Sequence, residues 1–116
     1  MSKEVVFMQP LYTQNELQQF IAHHPLALVY FYGASCATCF AIQGEVEKIL
    51  QDFPQIAAAE ISAEECPALA AAQQIFSVPV LLVFTEQKEA LRLGRHLSLA
   101  ELRQQLQRYY ELMELA

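Results

Sequence analysis

Cys36 and Cys39 lie three positions apart in the stretch Leu28–Phe40, LVYFYGASCATCF. The residues before the pair read as a buried strand and those after it as a helix. A thiol at a helix N-terminus meets unpaired backbone N–H groups and the positive end of the macrodipole. Both favour thiolate over thiol and make the sulfur nucleophilic near neutral pH. A second cysteine one turn along the same face can close a disulfide onto the first. The chemistry that suits this arrangement is thiol–disulfide exchange. Its rivals are an inert buried pair and a zinc or iron–sulfur site. Zinc normally takes four nitrogen or sulfur ligands. Beyond the pair the chain offers only Cys66, His23, His24 and His96, with no second C-x-x-C and no H-x-x-x-H. The reading is therefore a redox pair with no metal and no bound cofactor.

The elements that must hold the pair follow from patterning. Residues 4–8 read as a short strand. A helix starts at Thr13, where Thr13 and Glu16 have capping-box spacing, and ends near His23–His24 before Pro25. Leu26–Tyr32 is a nearly continuous apolar run, as expected of a central strand buried on both faces. The helix after the cysteines is predicted from about Cys39 to Phe53, with Phe40, Val46, Ile49 and Leu50 for the core. Ile56–Ile61 is another strand, and Pro67 opens a helix to about Ile75. Val80–Phe84 and Ala90–Leu93 are strands joined across Glu86–Glu89, and Gly94 breaks the second. Ser98 and Glu101 cap a long final helix, with Leu99, Leu102, Leu106, Tyr109 or Tyr110, and Met113 on one face. The order β-α-β-α-β-α-β-β-α implies an α/β fold, a mixed sheet covered by helices on both faces.

Bulk composition narrows the function. The 116 residues, 54% of them hydrophobic, suit one domain over residues 1–116 with a real core. A net charge of −6, from 7 basic and 13 acidic residues, argues against nucleic acid or an anionic membrane as partner. No apolar run reaches transmembrane length. The first residues, MSKEVVFMQ, lack the features of a signal peptide, so a cytoplasmic protein is expected. In that compartment structural disulfides are rare, and three cysteines make an odd count for a disulfide framework.

Nearly the whole chain resembles thioredoxin. The resemblance rests on the strand Leu28–Tyr32, the C-A-T-C of Cys36–Cys39 opening a helix, and Val78-Pro79 some forty residues later before an apolar strand. Gly94 and the capped last helix complete it. It implies the thioredoxin fold and thiol–disulfide exchange with protein or small-molecule disulfides. Cys36 would attack and Cys39 would resolve the mixed disulfide. It also implies electrons from a separate reductase or a low-molecular-weight thiol. Pro79 on its own would be trans, as most X–Pro bonds are, and would serve simply to open a strand. The resemblance implies a cis bond, with the Val78 backbone pairing to an extended substrate. Gly94 would border the same groove, although a generic turn explains it equally well. Ala37 and Thr38, between the cysteines, belong to the same substrate-facing surface and tune the potential. Thr38 is open to two readings, a hydroxyl offered to sulfur or an ordinary first-turn threonine.

The chain also departs from that pattern. Thioredoxins usually carry W-C-G-P-C, whereas this chain has Ser35 before Cys36 and no tryptophan anywhere. Six residues before the first cysteine they place a buried aspartate that deprotonates the resolving thiol. Here that position is Tyr30, which is no base at neutral pH. Ungapped counting back from Pro79 puts Glu60 where the family has a lysine paired with that aspartate. Two readings stand: Glu60 points beneath the pair and accepts the Cys39 proton, or it faces solvent or a surface lysine. Cys66, just before Pro67, reads as an unpaired surface thiol, with some helix-start activation as the other reading. The aromatic set Phe31, Tyr32, Phe40, Phe53, Phe76 and Phe84 reads mostly as core. These losses motivate an alternative function, a thioredoxin-fold binding or adaptor module with little turnover. A monomer or weak dimer is expected, the apolar face of the last helix leaving room for the latter.

Overall fold

The apolar run ahead of the cysteines is a strand, Leu26–Tyr32, with its first six residues buried. The computed structural model describes residues 7–115. In chain order the elements are β1 Gln9–Pro10, α1 Gln14–His23, β2 Leu26–Tyr32, α2 Ala37–Leu50, β3 Ala57–Ser62, α3 Pro67–Ala72, β4 Val80–Thr85, β5 Lys88–Leu93 and α4 Leu99–Leu112. The sheet order is β1-β3-β2-β4-β5. β1 and β2 both run parallel to β3; β4 is antiparallel to β2, and β5 to β4. β2 is therefore central and must be apolar on both faces, which explains its unbroken hydrophobic run.

Alternation along β2 sorts the core into two layers. Leu26, Leu28 and Tyr30 face Val46, Ile49 and Leu50 of α2 and Leu102, Leu106 and Tyr110 of α4. Ala27, Val29 and Phe31 face Leu17 and Phe20 of α1 and Leu69 and Ala70 of α3. Both capping expectations hold: the Thr13 and Ser98 hydroxyls accept the backbone N–H groups of Glu16 and Glu101, each at 3.1 Å.

Several boundaries differ from those read in the sequence, each for a local reason. Of the strand expected at 4–8, residues 4–6 lie outside the described residues, and Phe7 and Met8 are not in a strand; pairing to β3 begins at Gln9. α2 begins at Ala37 because Cys36 is itself the cap. It ends at Leu50, and Asp52 and Phe53 then bond three residues back in a tighter turn ahead of Pro54, which disfavours α geometry before it. β3 extends to Ser62, which pairs with Tyr32. α3 stops at Ala72 because Gln74 turns left-handed (φ 60°) and the Ile75 N–H bonds back to the Ala70 carbonyl, sending Ile75 into the core. β5 starts at Lys88, since Glu86 and Gln87, with φ of 49° and 71°, form a two-residue turn of the kind that matches strand twist. Phe40 and Phe76, assigned to the core from sequence, are 51% and 83% exposed. Phe40 lies on the outer side of α2 against Tyr32, their ring centroids 5.8 Å apart, and Phe76 follows the turn that buries Ile75.

α4 covers the α2 layer through fully buried Leu102. Leu102→Ala is expected to cost about 2–5 kcal/mol in denaturant-induced unfolding, from lost burial and the cavity left behind. Leu112→Ala, at a 70% exposed site, is expected to change stability by no more than about 0.5 kcal/mol.

Candidate functional site

β2 ends at Tyr32, and the chain turns through Gly33, Ala34 and Ser35 to reach α2. The Cys36 N–H closes this turn on the Gly33 carbonyl at 3.2 Å. Cys36 takes extended geometry (φ −98°, ψ 96°) as the N-cap of α2. Its sulfur accepts the Cys39 N–H at 3.1 Å, the bond that a serine or aspartate oxygen would accept in an ordinary cap. Cys36 and Cys39 are joined as a disulfide with Cα atoms 5.2 Å apart. Their environments differ: Cys36 is part-exposed, whereas Cys39 is 0% exposed. Ala37 and Thr38 are exposed on the first turn of α2.

The second arm comes from β4. Its antiparallel pairing with β2 sets Val80 opposite Phe31, bringing Val78 and Pro79 beside the turn that leads to Cys36. The Val78–Pro79 peptide bond is cis. Gly33 is where the two arms meet most closely. A methyl group there would lie 3.2 Å from Glu64 Oε1, 3.3 Å from Val78 Cγ2 and 3.6 Å from Cys36 Cβ. Gly33 is thus a glycine of close approach. Gly94 is different. It stands one residue past the Leu81–Leu93 pair, at the end of the sheet where β4 begins, and a methyl group there would meet nothing within 4 Å.

On β3, Glu60 lies on the side that faces α2, level with Tyr30. It is half-buried, and its Oε2 accepts a hydrogen bond from Gln43 Nε2 at 3.2 Å. Gln43 is one helical turn beyond Cys39, so Glu60 reaches the helix below the cysteine and its recorded bond is to that amide. The Tyr30 hydroxyl donates to the Cys39 carbonyl at 2.7 Å, and burial pushes its pKa far up, so it stays protonated. Tyr30 therefore holds the backbone of Cys39 rather than its sulfur. The Glu47 carboxyl, a further turn along α2, is pushed up by burial and then by Glu60; Tyr32 is pushed up by burial first and by Glu60 next.

The remaining candidates stand apart. Cys66 caps α3 without a side-chain hydrogen bond, and burial, Glu65 and Glu16 raise its pKa. This opposes the helix-start activation considered from sequence. His23 bonds the Gln19 carbonyl through Nδ1 at 2.7 Å, and His96 is exposed. Among the described residues no three His, Cys, Asp or Glu side chains gather in a way that could hold a metal ion.

The sequence reading missed Gln43, the Tyr30 bond to Cys39, and the Ser35–Glu64 contact, in which the Ser35 hydroxyl donates to Glu64 Oε1 at 3.1 Å. Gln43 was findable, since i+4 from Cys39 shares its helix face. The two longer contacts need the strand register.

Comparison with known proteins agrees with this geometry. A family model described as Thioredoxin matches residues 9–108. The thioredoxin-like protein YdfQ of Bacillus subtilis is 32% identical over 107 residues, covering 92% of this chain and 96% of the relative. Among solved structures, a mutant thioredoxin from Halobacterium salinarum superposes with a TM-score of 0.76 at 27% identity, covering 87% of this chain and 90% of its own. Thioredoxin from Trypanosoma brucei brucei reaches a TM-score of 0.82 at 19% identity, over 96% and 97% of the two chains, a likeness of fold.

If Tyr30 acts only as a backbone donor, Tyr30→Phe should lower stability by about 1 kcal/mol, the net worth of one hydrogen bond. The pH profile of disulfide exchange near neutrality should keep its shape. Stopped-flow exchange across pH checks the second point, and a shifted profile would give the hydroxyl a protonic role.

Proposed function

The chain belongs to the thioredoxin family, and we propose that Cys36 is its attacking thiol, Cys39 its resolving thiol and Glu60 the acceptor of the Cys39 proton. The chain is a thiol–disulfide oxidoreductase of thioredoxin type. What carries the assignment of roles is the contrast between the two sulfurs. Cys36 is part-exposed at the N-cap of α2 and receives a backbone N–H, whereas Cys39 is fully buried. A donated N–H and the helix N-terminus favour thiolate at Cys36.

In the reductive direction the Cys36 thiolate attacks one sulfur of the substrate disulfide. That bond breaks, the other substrate sulfur leaves as thiolate, and Cys36 is held in a mixed disulfide. Cys39 gives its proton to Glu60, and its thiolate attacks the Cys36 sulfur. The second substrate sulfur leaves, and two electrons have passed from the pair to the substrate, forming the Cys36–Cys39 disulfide. The substrate backbone lies along Val78 and Pro79, with Gly94, Ala37 and Thr38 bordering the surface it covers. Main-chain pairing of this kind suits disulfides in many sequence contexts. Substrates are protein or small-molecule disulfides, and a separate disulfide reductase or low-molecular-weight thiol restores the dithiol. A reducing cytoplasm is the setting that fits a dithiol reductant with Cys66 left as a thiol.

The Glu60 role is supported by its position on the α2-facing side of β3 and by its bond to Gln43. Tyr30, at the usual place of the acid, holds the Cys39 carbonyl instead. Glu60→Gln should slow release of the mixed disulfide by about a hundredfold near neutral pH while leaving the attack by Cys36 unchanged. Rapid-quench kinetics separates the two steps, and equal rates in both would remove Glu60 from the mechanism. Insulin reduction with dithiothreitol should vanish in Cys36→Ser; turnover that does not need Cys36 would leave a thioredoxin-fold binding module.

A further inference from the structure

The face of α2 that carries Cys39 continues through Gln43 and Glu47, each one turn further on. Glu60 meets this face from β3. Its backbone is fixed on both sides, paired with Tyr30 of β2 and Pro10 of β1, and its carbonyl accepts the Leu11 N–H at 3.0 Å. The side chain keeps the remaining freedom, and Gln43 holds it. The Gln43 amide nitrogen carries two hydrogens. One is donated to Glu60 Oε2 at 3.2 Å and the other to the Met8 sulfur at 3.7 Å. Met8 is buried, and an ionised carboxylate and a thioether can only accept, so the amide has one usable orientation.

Glu47, on the far side of Gln43 from Cys39, acts in the opposite sense. Burial pushes its carboxyl up, and the charge of Glu60 adds to this. The ion pairs among the described residues use Glu45, Glu89 and Asp52, so neither of these two half-buried acids is in one. From β2, Tyr30 stays protonated and gives its hydroxyl to the Cys39 carbonyl. Tyr32, also on β2, is pushed up by burial and then by Glu60, Glu65, Tyr12 and Cys66, which completes the ionisable set on this side of the sheet. A hydrogen bond donated to a carboxylate favours its charged form, whereas a like charge beside it disfavours that form. Gln43 and Glu47 therefore pull the Glu60 carboxyl in opposite directions.

We propose that Gln43 is a positioning residue for Glu60, with Glu47 as its counterweight, and that the two together set the pH at which release of the mixed disulfide switches on. This rests on the reading of Glu60 as acceptor of the Cys39 proton. Bonds and electrons move as in the exchange above, and the proton passes from the Cys39 sulfur to Glu60. Only the ionised carboxylate can take it. The Gln43 amide favours that form and so carries resolution to lower pH, while Glu47 confines it to higher pH.

The test follows release by rapid quench across the carboxyl range, about pH 4 to 8, with a peptide disulfide concentrated enough that attack outruns release. Gln43→Leu should move the midpoint of the release step up by about 0.5–1 pH unit, and Glu47→Gln should move it down by a similar amount. Glu45→Gln, an exposed charge change on the same helix, should leave it in place. In a Glu60→Gln background neither Gln43→Leu nor Glu47→Gln should shift the profile further, because the group through which they act is gone. A merely structural effect would persist there. With release still slowed in Glu60→Gln, three results overturn this inference alone: no shift in Gln43→Leu, shifts of the same sign in the two variants, or shifts that survive without Glu60. Release that Glu60→Gln does not slow overturns the Glu60 reading and this inference with it.

Discussion

The antiparallel pairing of β2 with β4, in the register that sets Phe31 opposite Val80, is the constraint on which the rest of the site depends. Each strand leads to one arm of the candidate site just beyond its end. β2 runs into the turn that delivers Cys36 to the start of α2, and β4 is entered through Val78 and Pro79. A slip of one residue would turn every side chain of β2 to the opposite layer, and the cost of exposing two apolar faces forbids it. The same burial that stabilises the sheet therefore fixes the distance between the cysteine pair and the cis proline.

The capping of α2 joins folding to reactivity. An N-cap position needs an acceptor for the first free N–H groups, and here sulfur supplies it. The interaction is stronger with thiolate than with thiol, so the helix that needs a cap also stabilises the reactive form of its cap. The chain has rearranged the acids and aromatics of the thioredoxin pattern around this centre. A buried tyrosine holds the Cys39 carbonyl, Glu60 reaches α2 one turn below, and Glu64 is fastened by Ser35 where an aromatic ring usually stands. The fold is that of the family, with acids and a tyrosine placed differently around the pair.

Much of this was legible in the chain itself. The run Leu26–Tyr32 could only be a strand buried on both faces, and the hydroxyl and carboxylate spacings at Thr13 and Ser98 marked helix starts that the structure confirms. The cysteine pair, read against a strand before and a helix after, pointed to exchange chemistry. Boundaries set by backbone conformation were harder to read. The left-handed turns at Gln74 and at Glu86-Gln87 use residues that rarely signal them, so patterning alone overruns the end of α3 and starts β5 late. Phe40 and Phe76 stand outside the core, since hydrophobicity alone does not say which side of an element faces it. The contacts of Glu60 with Gln43 and of Glu64 with Ser35 join residues 17 and 29 positions apart, and only the strand register brings them together.

The central claim is that Cys36 attacks and Cys39 resolves. It is tested most directly by trapping the intermediate. With Cys39→Ser, a peptide disulfide should accumulate as a stable one-to-one mixed disulfide on Cys36, located by mass spectrometry of non-reduced proteolytic fragments. Cys36→Ser should form no such adduct at Cys39, which is buried. A stable adduct on Cys39, or on Cys66 in preference to Cys36, would contradict the account.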